Sequence, residues 1–196
     1  MPRNRPHLDR DGKRSEIVAA AAALFAERGF EQASVAAIAA RAQITKNTIY
    51  WYFDDKDALL IAVISDAVRA ARGRWETDDG APLADKLAGL TAVFDDISSL
   101  TTALHARLDA SASVRAWHDR FHAASDAWLR AQIVDAAAGA GLADPPEAQV
   151  QALGRVWSYA IEGMVIHRLP AHERAELCEQ LVGQVRLLGP RPSAAR

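Results

Sequence analysis

The sequence has a single cysteine, Cys178, in 196 residues, which excludes an internal disulfide and any thiolate-rich metal cage and suits a reducing compartment. Long apolar runs are also missing. The longest stretches without a charged residue, Ile17 to Ala26 and Ile97 to Ala106, have ten residues each. A bilayer needs about 20, so no transmembrane helix is expected. The start, MPRNRPHLDRDGKR, is basic but has neither an apolar stretch behind Met1 nor a small-residue cleavage site, so it does not read as a secretory signal. A cytoplasmic protein with no membrane partner is therefore expected. No charge sign dominates either: 23 basic and 25 acidic side chains leave a formal charge of −2, with no global attraction to nucleic acid. Any such attraction must come from a local patch. A catalytic triad, a phosphate-binding loop and a nucleotide fingerprint are all absent, so neither an enzyme nor a cofactor is expected.

What the sequence does have is alanine, together with apolar residues recurring at spacings of three and four. With 50% hydrophobic and 24% charged residues, this is the pattern of a globular, nearly all-helical chain. Ile17, Ala21, Leu24 and Phe25 form one buried stripe on a first helix, Asp11 to Phe30. Gly29 supplies its stop, and Phe30 can fold back on the last turn. Ser34 caps a short second helix running through Val35, Ile38 and Ala39 to about Arg41, and Thr45 caps another, Lys46 to about Tyr52. Asp55 then caps a long helix, Lys56 to about Glu76, with Leu59, Leu60, Val63 and Ala67 inward. Asp78-Asp79-Gly80-Ala81-Pro82 marks a boundary. Helices are expected after it over Leu83 to Ile97, Leu100 to Ala110, Val114 to Ala138, Glu147 to His167 and Pro170 to Leu188, with a frayed tail from Gly189 to Arg196. Two domains follow: residues 1–56, with a linking helix over 56–76, and residues 57–196.

Two short helices joined by a tight turn and packed on a longer one form a helix-turn-helix, whose second short helix enters the DNA major groove. That helix is roughly 12 Å long, which matches a groove about 12 Å wide. With Ile44, Ile49 and Phe53 as anchors, Thr45, Lys46, Asn47, Thr48, Tyr50 and Trp51 are left on the outside. These hydroxyls, amide and cation suit phosphates and base edges. Lys56, a cation in the first turn of a helix, opposes the helix dipole with no obvious folding benefit, and a phosphate there would reverse the sign. Residues 1–56 carry nine basic and seven acidic side chains, so the small positive excess lies on this side.

The run RSEIVAAAAALFAERGFEQASVAAIAARAQITKNTIYWYFDDKDALL, Arg14 to Leu60, resembles the DNA-binding region of TetR-family transcriptional regulators. Leu24-Phe25, Gly29-Phe30, Ser34-Val35, Ile38-Ala39, Ala42, Thr48, Tyr50, Phe53, Lys56 and Leu59-Leu60 carry the resemblance, in order and without gaps. Gln43 departs from it, standing where the family usually has glycine in the turn, and Trp51 replaces a more usual His or Tyr. The resemblance implies that Ser34, Thr45, Thr48, Tyr50, Trp51 and Lys56 mainly contact phosphates, with Lys46 and Asn47 nearest the bases. It also implies an all-α fold with a carboxyl-terminal helical domain for effector binding and dimerisation. The implied protein is a ligand-responsive regulator, a repressor by family habit, that binds a palindromic operator as a homodimer. An activator of the same family, or a DNA-binding module whose second domain binds a protein, are the alternatives.

In the second half, Phe94, Leu104, Leu108, Trp117, Phe121, Trp128, Trp157, Tyr159, Ile161 and Met164 are an apolar inventory suited either to a core or to enclosing a small apolar effector. Glu147 to His167 is apolar over more than one stripe. Val156, Gly163 and Ile166 with Leu177, Leu181, Val185 and Leu188 of the last helix could pair with their copies in a four-helix interface. His118 and His122 lie one helical turn apart, with Asp119 or Asp126 nearby, but without a clear third ligand no metal is expected. Cys178 reads as a small buried hydrophobe.

Overall fold

The computed structural model describes residues 6–77, 80–142 and 144–189. Asp78 and Asp79 of the expected boundary, and all but Gly189 of the expected frayed tail, lie outside the described residues. Within them the chain is all-α: nine α-helices, two short 3-10 turns and no strand. The helices are α1 Pro6–Gln32, α2 Val35–Arg41, α3 Lys46–Tyr52, α4 Lys56–Thr77, α5 Leu83–Val93, α6 Ser98–Ala106, α7 Ala112–Gly139, α8 Glu147–Ile166 and α9 Ala171–Gly183. The 3-10 turns, Asp95–Ile97 and Gln184–Leu187, take up the ends of two stretches expected to be continuous helix. None of these helices is long and apolar enough to cross a membrane.

The chain divides into two compact units, residues 1–70 with 96–117, and residues 71–95 with 118–196. Helices α4 and α7 each contribute to both. In the first unit the core is built from Ile17, Ala21, Leu24 and Phe25 of α1, Ile38 of α2, Ile49 of α3, and Leu59, Leu60 and Val63 of α4. Leu100 and Leu104 of α6 and Val114 close it. Gly29 has φ 76 and ψ 161, a kink after which the helix is carried on to Gln32 rather than ending at Phe30 as expected. The kink turns Phe30 back so that its ring meets Phe25 edge-on, with centroids 5.4 Å apart. A side chain at position 29 would be strained in that conformation.

A buried ion pair ties α4 to the end of α6. Asp57 is 6% exposed and accepts from Nη2 of Arg107 at 2.8 Å, with Nε of the same guanidinium against its other oxygen. The hydrogen bond to Asp57, above all, raises the pKa of Arg107 further, so this cation is permanent. Trp117 donates its indole N–H to the Ser65 hydroxyl at 3.1 Å.

In the second unit α5 packs along α9, and Leu87, Leu129, Ile133, Val150, Leu153, Trp157, Met164 and Cys178 form the core. Arg174 of α9, 6% exposed, reaches both carboxylate oxygens of Asp95, one of them at 2.8 Å. Helices α7 and α8 run antiparallel. Gly154 stands against Arg130, and Glu162 against His122, the same step along both helices. A Cβ at position 154 would lie 3.0 Å from Cγ of Arg130, so glycine lets the two helices approach closely there.

Candidate nucleic-acid interface

The helix-turn-helix is built by its caps. Ser34 Oγ accepts from the Ala37 amide at 3.1 Å and starts α2. Thr45 Oγ1 accepts from the Thr48 amide at 3.2 Å, starts α3, and lies 2.9 Å from the Thr48 hydroxyl. Both hydroxyls therefore have a structural task, and each remains on the surface for a further partner. Between the helices, the Ile44 amide donates back to the Ala39 carbonyl at 3.0 Å and the Gln43 amide to the Ala40 carbonyl at 3.2 Å. This is a Schellman closure, and it places Gln43 at φ 55, in the left-handed region where the family resemblance would put a glycine.

Burial of Ile49 and Phe53 fixes which way α3 faces. Lys46, Asn47, Tyr50 and Trp51 are on the surface, with Thr48 half-buried; Trp51 is 64% exposed, too open for a core residue. The Lys46 ammonium lies 5.4 Å from the Tyr50 ring centroid, and Trp51 meets Tyr52 edge-on at 4.9 Å. Two cations of α1 join this surface. Arg10 sits 4.8 Å over the Trp51 ring and Arg14 5.0 Å over Phe53, so basic and aromatic groups interleave beside the helix. Neither arginine was singled out from the sequence. Their spacing of four on the first helix was the signal available. Arg41, by contrast, is tied to Glu27, whose hydrogen bond is the main cause of its raised pKa.

Lys56 corrects one expectation. Its ammonium donates to the Phe30 carbonyl at 2.8 Å and to the Glu31 carbonyl at 3.3 Å, and it lies 4.1 Å over the Phe30 ring. The cation at the start of α4 thus has a folding role: it satisfies carbonyls left open beyond the Gly29 kink. Asp55, the expected cap, accepts from the Ala58 amide at 2.7 Å and offsets the dipole cost of Lys56.

Residues 17–63, which include this entire helix-turn-helix, match the family described as "Bacterial regulatory proteins, tetR family". Over this segment the chain resembles the bacterial regulatory proteins of the TetR family. The A-factor receptor protein of Streptomyces griseus is 33% identical to this chain over 73 residues, 37% of the chain and 25% of that relative. The fatty acid metabolism regulator protein of Bacillus subtilis (strain 168) is 35% identical over 78 residues, 39% of the chain and 40% of that relative. The chain thus spans well under half the length of these relatives. The likeness of fold runs further: a transcriptional regulator from Rhodococcus sp. Rha1 superposes with a TM-score of 0.70 at 16% identity, covering 91% of this chain and 99% of that one.

The structure distributes the residues expected at an effector site. Leu104 is buried in the core of the first unit, with Leu108 and Trp117 packed against it. Trp157 and Met164 are buried in the core of the second, with Trp128 and Ile161 packed against them. Trp128 meets Trp75 edge-on at 4.5 Å. Phe94 caps the end of α5, and Phe121, beside His122, is half-buried.

Of the residues expected at a dimer interface, Val156, Ile166 and Leu177 are exposed, and nothing would meet a Cβ added at Gly163. Leu181, Val185 and Leu188 are buried in the chain's own core, at 6%, 2% and 7% exposure. They pack beneath the surface and do not form it. Tyr159, expected among the apolar inventory, is instead 68% exposed on the same helix as Val156. Burial pushes the Cys178 thiol up to about 11, which suits a packing residue and not a reactive one.

Proposed function

We propose that this TetR-family chain is a ligand-responsive repressor that binds a palindromic operator as a homodimer and is released by a small apolar effector. The observation that carries this reading is the outer face of α3. A seven-residue helix, capped at Thr45 and anchored by Ile49, turns Lys46, Asn47, Tyr50 and Trp51 outward beside Arg10. Lys46 and Asn47 read bases. The hydroxyls of Ser34, Thr45, Thr48 and Tyr50, the Trp51 indole N–H and the cations of Arg10 and Lys56 hold the backbone.

The dimer face in this proposal is the stripe Ala152, Val156, Tyr159, Gly163 and Ile166 of α8, repeated at steps of three and four, with Leu177 of α9. A two-fold pair would place two copies of α3 about 34–36 Å apart, on successive major grooves. Effector and DNA would favour different spacings of the two heads, with α4 as the continuous element joining the units. The cytoplasm is where such a protein meets its operator.

Selection of bound sequences from a library of random duplexes tests this reading. A recovered palindrome, bound with steep salt dependence, supports it. Folded protein that enriches no sequence contradicts it.

A further inference from the structure

Trp157 of α8 is 0% exposed, and its indole N–H has no acceptor among the described residues. Other buried polar groups of the second unit are met: Arg174 donates to Asp95 at 2.8 Å, and the Thr91 hydroxyl to the Ala88 carbonyl at 2.7 Å. An indole nitrogen can only donate, and a buried donor left alone is costly. Phenylalanine would fill an apolar core without that cost. The indole N–H is a polar group that the packing of the core does not use.

Its surroundings define what can use it. The cluster that holds Trp157 is apolar and includes Leu87 of α5, Ile133 of α7, Met164 of α8 and Cys178 of α9. Trp75, Leu83, Trp128 and Ile161 are packed against the cluster but only partly buried, so they form its boundary with the surface. The Trp75 and Trp128 rings meet edge-on at 4.5 Å within this boundary. Apolar and aromatic walls with one fixed polar group are the composition of a small-molecule site.

Resting on the effector-responsive reading above, we propose that the Trp157 indole N–H is the polar contact of an effector site within the second unit, taking a neutral apolar molecule that carries a carbonyl oxygen.

The chemistry of the occupant follows from what the cluster can satisfy. Water is a poor occupant, because a buried water needs about two to four polar partners, which an apolar cluster does not supply. An ionised group is a poor one too, since it would give up its hydration for one neutral donor. A ketone or ester oxygen asks for no more than a single hydrogen bond, and the rest of such a molecule gains from apolar contact. Trp75 belongs to α4, the helix that continues into the first unit, so an occupant that touches this ring bears on the element joining the two.

The test uses full-length protein labelled with nitrogen-15 and two probes of one shape, cyclohexanone and methylenecyclohexane, in which a CH2 group replaces the oxygen. The chain has five tryptophans, each with its own indole N–H signal, and Trp157→Phe identifies that of Trp157. Cyclohexanone should bind saturably and move the Trp157 indole proton downfield, as a new hydrogen bond does, whereas methylenecyclohexane should not. Trp157→Phe should lower the affinity for cyclohexanone relative to methylenecyclohexane by about tenfold. Circular dichroism checks that the variant folds, and the contrast between the two probes in the wild type, with one indole signal responding to the oxygen, stands without it. The proposal is overturned if cyclohexanone binding does not saturate, if both probes move the signal alike, or if folded Trp157→Phe keeps the wild-type ratio of affinities. Selection of duplexes reads the other claim: a recovered operator with no response at Trp157 removes this site and leaves the repressor, and the reverse result removes the repressor and leaves the site.

Discussion

Gln43 offers a quantitative handle on the turn that sets the angle between α2 and α3. Its φ of 55 places a side-chain-bearing residue in the left-handed region, which costs roughly 1–2 kcal/mol for an L-residue. The two closing hydrogen bonds, Ile44 to Ala39 and Gln43 to Ala40, use backbone atoms only and survive substitution. Gln43→Gly removes the left-handed cost but adds about 0.5–1 kcal/mol of unfolded-chain entropy. The net expectation is stabilisation by about 0.5–1 kcal/mol. Gln43→Val, with a β-branched side chain at the same φ, should destabilise by at least about 1 kcal/mol. Urea unfolding at fixed protein concentration reads both. With a slope of about 2 kcal/mol per molar, the glycine variant should move the midpoint up by about 0.25–0.5 M with the slope unchanged. A glycine variant no more stable than wild type, or a valine variant as stable as the glycine one, would refute the left-handed turn.

Other consequences follow from particular contacts. Arg107→Met leaves the Asp57 carboxylate buried without its cation and should cost about 2–3 kcal/mol, at the low end for buried pairs because Arg107 is about a third exposed. The double variant Asp57→Leu with Arg107→Met should recover much of that loss, and no recovery in urea unfolding would count against a buried pair. Lys56→Met should lower stability by about 1–2 kcal/mol with no DNA present, because the Phe30 and Glu31 carbonyls lose a charged donor; unchanged stability would return Lys56 to a role in DNA binding alone. Cys178, whose thiol is raised from an ordinary 9.0 to about 11, keeps its proton on folding. Its contribution is full below pH about 9 and lost as pH rises toward 11, by about 2–3 kcal/mol. Cys178→Ala should flatten that part of the stability–pH curve relative to wild type.

The local architecture of the helix-turn-helix was legible because it depends on neighbours in sequence. Ser34, Thr45 and Asp55 announce three helix starts through a hydroxyl or carboxylate next to an apolar period, and the structure begins α2, α3 and α4 one residue after each. Buried stripes at spacings of three and four gave Ile17, Leu24, Ile38, Ile49 and Leu59 their place in the core.

Side-chain contacts between distant positions were not legible. Periodicity cannot show that Lys56 finds carbonyls 25 and 26 positions earlier, or that Asp57 meets Arg107 fifty positions later. Apolar character likewise cannot separate a surface stripe from a doubly buried one. Leu181, Val185 and Leu188 read like Val156 and Ile166 in sequence, yet the first three are core and the others surface. Glu162 was invisible as a partner of His122 for the same reason, since the antiparallel register of α7 and α8 brings them together across forty positions.

The claim on which the functional account stands is that the outer face of α3 reads base sequence. The most direct measurement is the affinity of wild-type, Lys46→Ala and Asn47→Ala proteins for a selected operator and for each of its single-base variants, at two salt concentrations. If α3 is the reader, Asn47→Ala loses about 1–3 kcal/mol on the operator and becomes indifferent to the base at one position in each half-site, with the other positions still discriminated. If both variants keep the wild-type ranking of every base, with affinities lowered equally across all duplexes, α3 does not read sequence and the account fails.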